Sequence, residues 1–301
     1  MPSPDPDATP PPLRLNLIGP GRLGRTLARL CAQSARYRIA GIAGRTQLAE
    51  AQAFIGEGAV CALEQLPPAE LWLIAVPDAA IAEVAEALVA RGGIRPGDVV
   101  FHCSGAGSAE LLAPLRHHGA QIASLHPVFS FADPALAVRS FAGTPCALEG
   151  DEPACQTLEA FAQALGGAPF RLVPGGKAAY HAALCVASNY LVTLSQLALD
   201  TAHLAGMDAA QTLPLVHRLM AQTLANVARL GPAAALTGPI ARNDAATVSA
   251  HLHSLARHPE LSQLYRELGH ATLPLAEQQN PTQDYAELRA LLTTPDAKNK
   301  G

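Results

Sequence analysis

The segment Leu15-Asn16-Leu17-Ile18-Gly19-Pro20-Gly21-Arg22-Leu23-Gly24-Arg25 constrains the fold of this chain more than any other stretch. It joins an apolar run to a glycine-punctuated turn, and then to leucines at helical spacing, Leu23, Leu27 and Leu30. Gly19, Gly21 and Gly24 fit the pattern G-x-G-x-x-G. In that pattern the first glycine makes a tight turn, the second lets the backbone approach a pyrophosphate, and the third lets the helix pack closely on the strand. The helix N-terminus adds free N–H groups and a partial positive charge. A chain with 24 glycines produces such a pattern by chance, so context decides. Residues 13–18 read as a buried strand and 37–43 as a second, which completes a βαβ unit around the glycines. A dinucleotide site is therefore expected over a purely structural turn, with Gly19, Pro20, Gly21, Arg22, Leu23 and Gly24 at the pyrophosphate.

The second strand decides which dinucleotide. About twenty residues beyond the glycines, NAD sites place Asp or Glu on the ribose 2′-hydroxyl. Here the chain reads Ile42-Ala43-Gly44-Arg45-Thr46, without a carboxylate. Arg45 with Thr46 suits a 2′-phosphate, and so NADP; the plain alternative makes Arg45 a solvated turn residue. Ala75, Val76, Pro77 and Ser104, at the ends of later strands, complete the expected cofactor contacts.

Strand and helix patterns continue to alternate. Residues 47–55 read as a helix, 59–62 as a short strand, and 71–76 as a continuous apolar strand buried on both faces. Asp78 is expected to cap a helix marked by Ile81, Val84, Ala85 and Leu88. Strands follow at 98–103, 121–125, 145–148 and 170–173, with helices from 109 and over 153–165. The fold class is α/β, a Rossmann-type, doubly wound, mostly parallel sheet over residues 13–174. At Pro174-Gly175-Gly176 the pattern changes, and only helical segments follow, near 177–205, 209–229, 244–257, 260–278 and 284–292. Residues 175–292 are expected to form an all-helical domain for substrate and dimerisation. Residues 1–12 are proline-rich and acidic, without signal-peptide features, and read as a disordered leader; 293–301 read as a flexible tail.

Composition narrows the partners. With 301 residues, 49% hydrophobic and 15% charged, at net charge −4, the chain has no basic excess for nucleic acid. No run of about 18 apolar residues points to a membrane span. The six cysteines stand singly in apolar segments, as expected of reduced core residues in a cytoplasmic protein. His251 and His253 fall on nearly opposite sides of a helix, and His117 and His118 are neighbours, so no metal site is expected. The expected partners are a small-molecule substrate and a second copy of the chain. Residues 180–199 are apolar around most of a helix circumference, which points to a homodimer through the helical domain.

Of 21 basic residues 18 are arginine, and two of the three lysines, Lys298 and Lys300, lie in the tail. Lys177, just after the Pro174-Gly175-Gly176 turn, is the only lysine in the folded body. Retention of one ammonium in so arginine-biased a chain points to proton transfer or to a compact cation at a substrate oxygen. His181 follows at i+4 and Ser188 at i+11, all within about 40° on an unbroken helix, with Asn189 one step around. In an otherwise apolar segment these groups are expected to be buried and partnered. Lys177 and His181 are read as a proton-transfer pair facing the nicotinamide; Ser104, His126, Asn189 and Arg242 are read as substrate contacts. The alternatives are that His181 and Asn189 satisfy core groups, and that Arg242 and Asp244 form a helix cap with its ion-pair partner.

Together the run from Gly19, the Ala75-Val76-Pro77-Asp78 strand end, Ser124-Leu125-His126-Pro127, the Lys177-x-x-x-His181 helix with Ser188-Asn189-Tyr190, and the stretch from Leu236 to Asp244 resemble one family. It is a largely uncharacterised group that joins a Rossmann-like NADP-binding domain to a helical domain of unknown function. More distantly it is similar to the 6-phosphogluconate dehydrogenase, β-hydroxyacid dehydrogenase and pyrroline-5-carboxylate reductase superfamily. In the β-hydroxyacid relatives a lysine on the first helix of the second domain is the catalytic acid/base, assisted by an asparagine at i+4. Lys177 matches the lysine, whereas His181 departs from the asparagine. The resemblance implies an NADP-dependent oxidoreductase acting on a small polar, carboxylated substrate in an interdomain cleft. The competing reading is a non-catalytic NADP-binding sensor or regulatory protein.

Overall fold

Along the central strands, successive side chains leave the sheet on opposite sides, and both sides are apolar. Leu71, Leu73, Val99 and Phe101 pack into one buried cluster, while Trp72, Ile74 and Val100 pack into another. A sheet apolar on both faces must be covered on both, as a doubly wound fold does. The computed structural model describes residues 11–293. Apart from Pro11, Pro12 and Thr293, the expected leader and tail lie outside the described residues.

The sheet comprises β1 (Leu13–Ile18), β2 (Tyr37–Ala43), β3 (Ala59–Val60), β4 (Leu71–Ile74), β5 (Val99–His102), β6 (Gln121–Pro127), β7 (Pro145–Gly150) and β8 (Ala168–Arg171). Its order is β3-β2-β1-β4-β5-β6-β7-β8, parallel throughout except where β7 runs against β6. Helices α1 (Arg22–Gln33), α2 (Leu48–Ile55), α3 (Ile81–Arg91), α4 (Pro134–Ser140) and α5 (Glu152–Ala164) accompany it. Cys31 of α1 with Leu158 and Phe161 of α5 fills one face, and Ile81, Ala85 and Leu88 of α3 the other.

The chain divides into two compact units, Met1–Ala183 and Leu184–Gly301. The division falls inside α6 (Lys177–Ala187), so its first turns belong to the sheet unit and not to the domain expected from residue 175. The second unit holds α7 (Asn189–His203), α8 (Ala209–Leu230), α9 (Pro232–Ala235), α10 (Ala245–Leu255), α11 (Pro259–Gln279) and α12 (Ala286–Thr293). Its buried core joins Val248 and Leu252 of α10, Leu273 and Ala276 of α11, and Leu288 and Leu292 of α12.

Several sequence expectations are corrected. The helix expected from 109 is a 3₁₀ helix, Ala109–His118, with Pro114 inside it, where a missing N–H disfavours the α form. Asp78 begins a short 3₁₀ turn and caps nothing, because its carboxylate is engaged elsewhere. The single helix expected over 177–205 breaks at Ser188, whose φ of −115° and ψ of −67° interrupt it. The angular grouping of Lys177 with Ser188 and Asn189 therefore does not carry across the break. Nor are these groups uniformly buried: Lys177 is, His181 is half-buried, and Ser188 and Asn189 are exposed. The membrane reading also needs amending, since Lys177–His203 spans 27 residues with an 18-residue window of mean hydropathy 1.5. By length and composition alone that is enough to cross a membrane. Helix α4 was not expected, although Asp133 caps it by accepting from the N–H groups of Ala135 and Leu136, ahead of Pro134 in its first turn.

Candidate functional site

In this strand order the connections reverse direction beside β1, and open α/β sheets bind ligands at such a switch point, beyond the carboxyl ends of the strands. A cavity of about 760 Å³ lies there, lined by Gly19, Pro20 and Gly21 after β1, Arg45, Thr46 and Gln47 after β2, and Ala75, Val76 and Pro77 after β4. Each glycine of the motif has a separate steric reason. Gly19 has a φ of +88°, and a Cβ there would lie 2.7 Å from the Ala75 carbonyl oxygen. A Cβ at Gly24 would meet the Gly19 carbonyl oxygen at 2.5 Å, so this glycine lets α1 pack on the turn. At Gly21 a Cβ would meet nothing within 4 Å, which leaves open space above the N-terminus of α1.

Arg22, Leu23 and Gly24 form the first turn of α1 and do not line the cavity; their N–H groups have no carbonyl one turn earlier within the helix. Arg22 and Arg45 are exposed, and among the described residues neither enters an ion pair. Open space, helix N–H groups and two available guanidiniums form a donor set that fits dinucleotide phosphates. Sequence reasoning missed the brace that holds the turn. Arg25 donates from Nε to the Pro20 carbonyl at 3.2 Å and from Nη2 to Gln47 Oε1 at 2.9 Å, tying the glycine turn to the loop after β2.

A polar cluster occupies the ends of β5, β6 and β7 in the same unit. His102 donates from Nε2 to the Ser108 carbonyl at 3.0 Å and accepts the Ser104 N–H on Nδ1 at 3.1 Å. A carbonyl only accepts, so these partners select the neutral Nε2–H tautomer. Burial holds the ring's pKa down to about 4. The Ser104 hydroxyl donates to Asp78 Oδ2 at 2.6 Å and accepts the Gly107 N–H at 2.8 Å. Its single proton thus goes to a carboxylate of the neighbouring connection, the one that follows β4.

Lys177 is 4% exposed and donates to the Ser124 hydroxyl; its Nζ is 3.7 Å from Glu149 Oε1. Burial pulls its pKa below the usual lysine value, and Glu149 opposes that pull. Glu149 Oε1 also accepts the Ala109 N–H at 2.7 Å. His126 pairs through Nδ1 with the Tyr180 hydroxyl at 2.8 Å, and burial, with Lys177 and His181 nearby, holds its pKa down to about 4. A Cβ at Gly105 would lie 2.8 Å from His181 Cδ2 and 2.9 Å from His126 Nε2, so the loop passes between the two imidazoles because it carries no side chain there.

Of the expected catalytic and substrate residues, the structure gathers Lys177, His181, Ser104 and His126 in one unit. The ammonium's polar partners are Ser124 and Glu149, in addition to which His181 lies at Gly105. Asn189 and Arg242 belong to the second unit. There Asn189 opens α7, and Arg242 is exposed, ahead of Asp244, which caps α10 by accepting the Thr247 N–H at 3.0 Å. Asp78, His102, Ser124, Glu149 and Tyr180 complete the cluster and were not expected in it. Asp78 and Ser124 sat within quoted motifs, whereas nothing in the sequence marks Glu149, which arrives on the antiparallel strand.

Residues 1–127 match the family described as Rossmann-like domain, and residues 144–272 match the family described as domain of unknown function DUF2520. No curated protein matches the chain at a significant level. Among solved structures it is similar to protein TM1727 from Thermotoga maritima, at 28% identity and a TM-score of 0.71, over 88% of this chain and 99% of that one. It is also similar to an imine reductase from a Pseudomonas species, at 19% identity and a TM-score of 0.63, over 93% and 99% of the two chains. A pyrroline-5-carboxylate reductase from Coxiella burnetii follows, at 14% identity and a TM-score of 0.56, over 89% and 98%. At such identities the two reductases share the fold. The chain thus matches the Rossmann-like domain over its N-terminal part and the domain of unknown function DUF2520 over its C-terminal part, and it shares a fold with these solved structures.

Proposed function

We propose that the protein is an NADP-dependent oxidoreductase acting on a small polar, carboxylated compound with a reducible C=O or C=N bond. The observation that carries this reading is the open space at Gly21, set between the closely packed Gly19 and Gly24 and beside the free guanidinium of Arg45. Backbone N–H groups of the first turn of α1 would bind the pyrophosphate, Arg45 and Thr46 the 2′-phosphate, and Ala75 to Pro77 would flank the dinucleotide. When bound, NADPH supplies a hydride. The Lys177 ammonium would hold the substrate heteroatom and donate the proton it needs, while Ser124 and Glu149 keep the ammonium in place. Neutral His126, paired with Tyr180, offers a further hydrogen bond without adding charge.

The exposed apolar side chains of α7 and α8 favour a second copy of the chain as partner, because no core within the unit covers them.

NADPH consumption measured against a panel of small carbonyl and imine acids tests the activity. With an active compound, Lys177→Met is expected to lose about 10²–10⁴-fold in kcat with NADPH affinity unchanged. Tight NADPH binding without turnover on any compound would overturn the enzyme reading in favour of a sensor.

A further inference from the structure

Lys177 is surrounded by groups from several elements. Asp78 follows β4, His102 and Cys103 lie at the end of β5, His126 is on β6 and Glu149 is on β7. The two histidines are held neutral by burial, and the Cys103 thiol is pushed up by burial, so the carboxylates of Asp78 and Glu149 carry the negative charge around the ammonium. They are not equivalent. Asp78 is exposed and bonded to Ser104, while Glu149 is within ion-pair distance of Nζ with its side chain 15% exposed. Its Oε1 is fixed by the Ala109 N–H at the start of the 3₁₀ helix. The Ser124 hydroxyl, which accepts from Nζ, points its own proton at the Ser104 carbonyl oxygen at 3.4 Å. One ammonium proton thus has a fixed acceptor in Ser124, and Glu149 faces the ammonium as its ion-pair partner at 3.7 Å.

Lys177 and Glu149 also line a second cavity of about 760 Å³, with Ser108, Ala109, Leu148 and Ala178. None of the residues lining the cavity at the glycine turn lines this one. Lys177 thus borders a cavity that is separate from the one at the glycine turn.

We propose that Glu149 is a positioning residue that keeps Lys177 in its ammonium form, making Lys177 a proton donor that is recharged by water through this second cavity. The inference rests on the reductase reading for its chemistry. When bound, the reduced nicotinamide cofactor would supply the hydride, with both electrons, for the carbon of the C=O or C=N bond. The N–H bond of the Lys177 ammonium breaks and its proton goes to the substrate heteroatom. The resulting neutral amine takes up one proton from the bulk solvent, which balances the proton given to the product, and Glu149 stabilises the restored charge. Without Glu149, burial would favour the neutral amine, which cannot donate that proton.

The chain's three lysines make this measurable without turnover. Protein labelled with ¹³C,¹⁵N-lysine gives three side-chain signals, and Lys177→Arg identifies the one from Lys177 by its loss. In Glu149→Gln the amide oxygen still accepts the Ala109 N–H, so the charge goes while the geometry stays. The Lys177 pKa is expected to fall by about one to three units in Glu149→Gln and to recover in part in Glu149→Asp, which restores a carboxylate. With an active substrate, the alkaline limb of the kcat/KM profile should move to lower pH by the same amount, because the donor is the protonated form. A Lys177 pKa unchanged in Glu149→Gln overturns the proposal. If that variant does not fold, a Lys177 pKa unchanged in Glu149→Ala, which also removes the charge, does the same. A shifted titration with no NADPH consumption on any compound leaves the ion pair standing and removes the reductase reading.

Discussion

The His102 ring donates from Nε2 to the Ser108 carbonyl at 3.0 Å, and this bond folds the loop after β5 back onto the strand that carries it. Because Nδ1 accepts the Ser104 N–H, the ring is built into the loop as a neutral group. Charging it would set a proton against the Ser104 N–H inside a buried site.

A pH dependence of stability follows. The unfolded imidazole takes its proton near pH 6.5, and the folded one only near about 4. Between these values the unfolded state binds more protons, so this contribution is fully present above pH 6.5 and is lost as pH falls toward 4. Its size is about 3 kcal/mol from the difference in pKa. Urea unfolding between pH 7.5 and 4.5 checks it. His102→Gln keeps a donor for Ser108 but does not titrate, so its stability curve should be flatter over that range.

The cofactor preference should rest on Arg45. NADPH is expected to bind more tightly than NADH, and Arg45→Ala to narrow the difference by roughly tenfold or more, since a charged hydrogen bond contributes about 1.5–3 kcal/mol. Fluorescence titration with both cofactors measures this. Equal affinities in the unaltered protein would contradict the assignment.

The glycines at 21 and 24 should fail in different ways. Gly21→Ala places a methyl group where nothing stands within 4 Å, so the melting temperature should hold while dinucleotide affinity drops. Gly24→Ala drives a methyl group to 2.5 Å from the Gly19 carbonyl oxygen and should destabilise the fold by about 1–3 kcal/mol. Thermal melts with and without NADPH separate the two effects, and a Gly21→Ala variant that binds NADPH normally would place the pyrophosphate elsewhere.

For assembly, Val192 on α7 is 71% exposed and Leu219 on α8 is 60% exposed, and Leu224 adds to the uncovered apolar surface. Light scattering at micromolar concentration is expected to give the mass of a dimer, and Leu219→Asp to shift it toward the monomer. A monomeric mass for the unaltered protein would refute the arrangement.

The sequence by itself determined the first unit almost strand by strand. A parallel sheet buried on both faces needs continuous apolar runs, and its glycine turn needs glycine at fixed offsets; both are local properties. Residues 13–18 and 37–43 match β1 and β2 at both ends for that reason. Lys177 was legible through the scarcity of lysine. What the sequence did not contain was the meeting of Lys177 with Ser124 and Glu149, at separations of 53 and 28 residues. That meeting depends on β7 entering antiparallel to β6, which brings Glu149 opposite Ser124 in the register. The direction of a strand is not set by its own residues, and the break at Ser188 is not visible in helical periodicity. Tertiary packing decided both, and with them which side chains the ammonium faces.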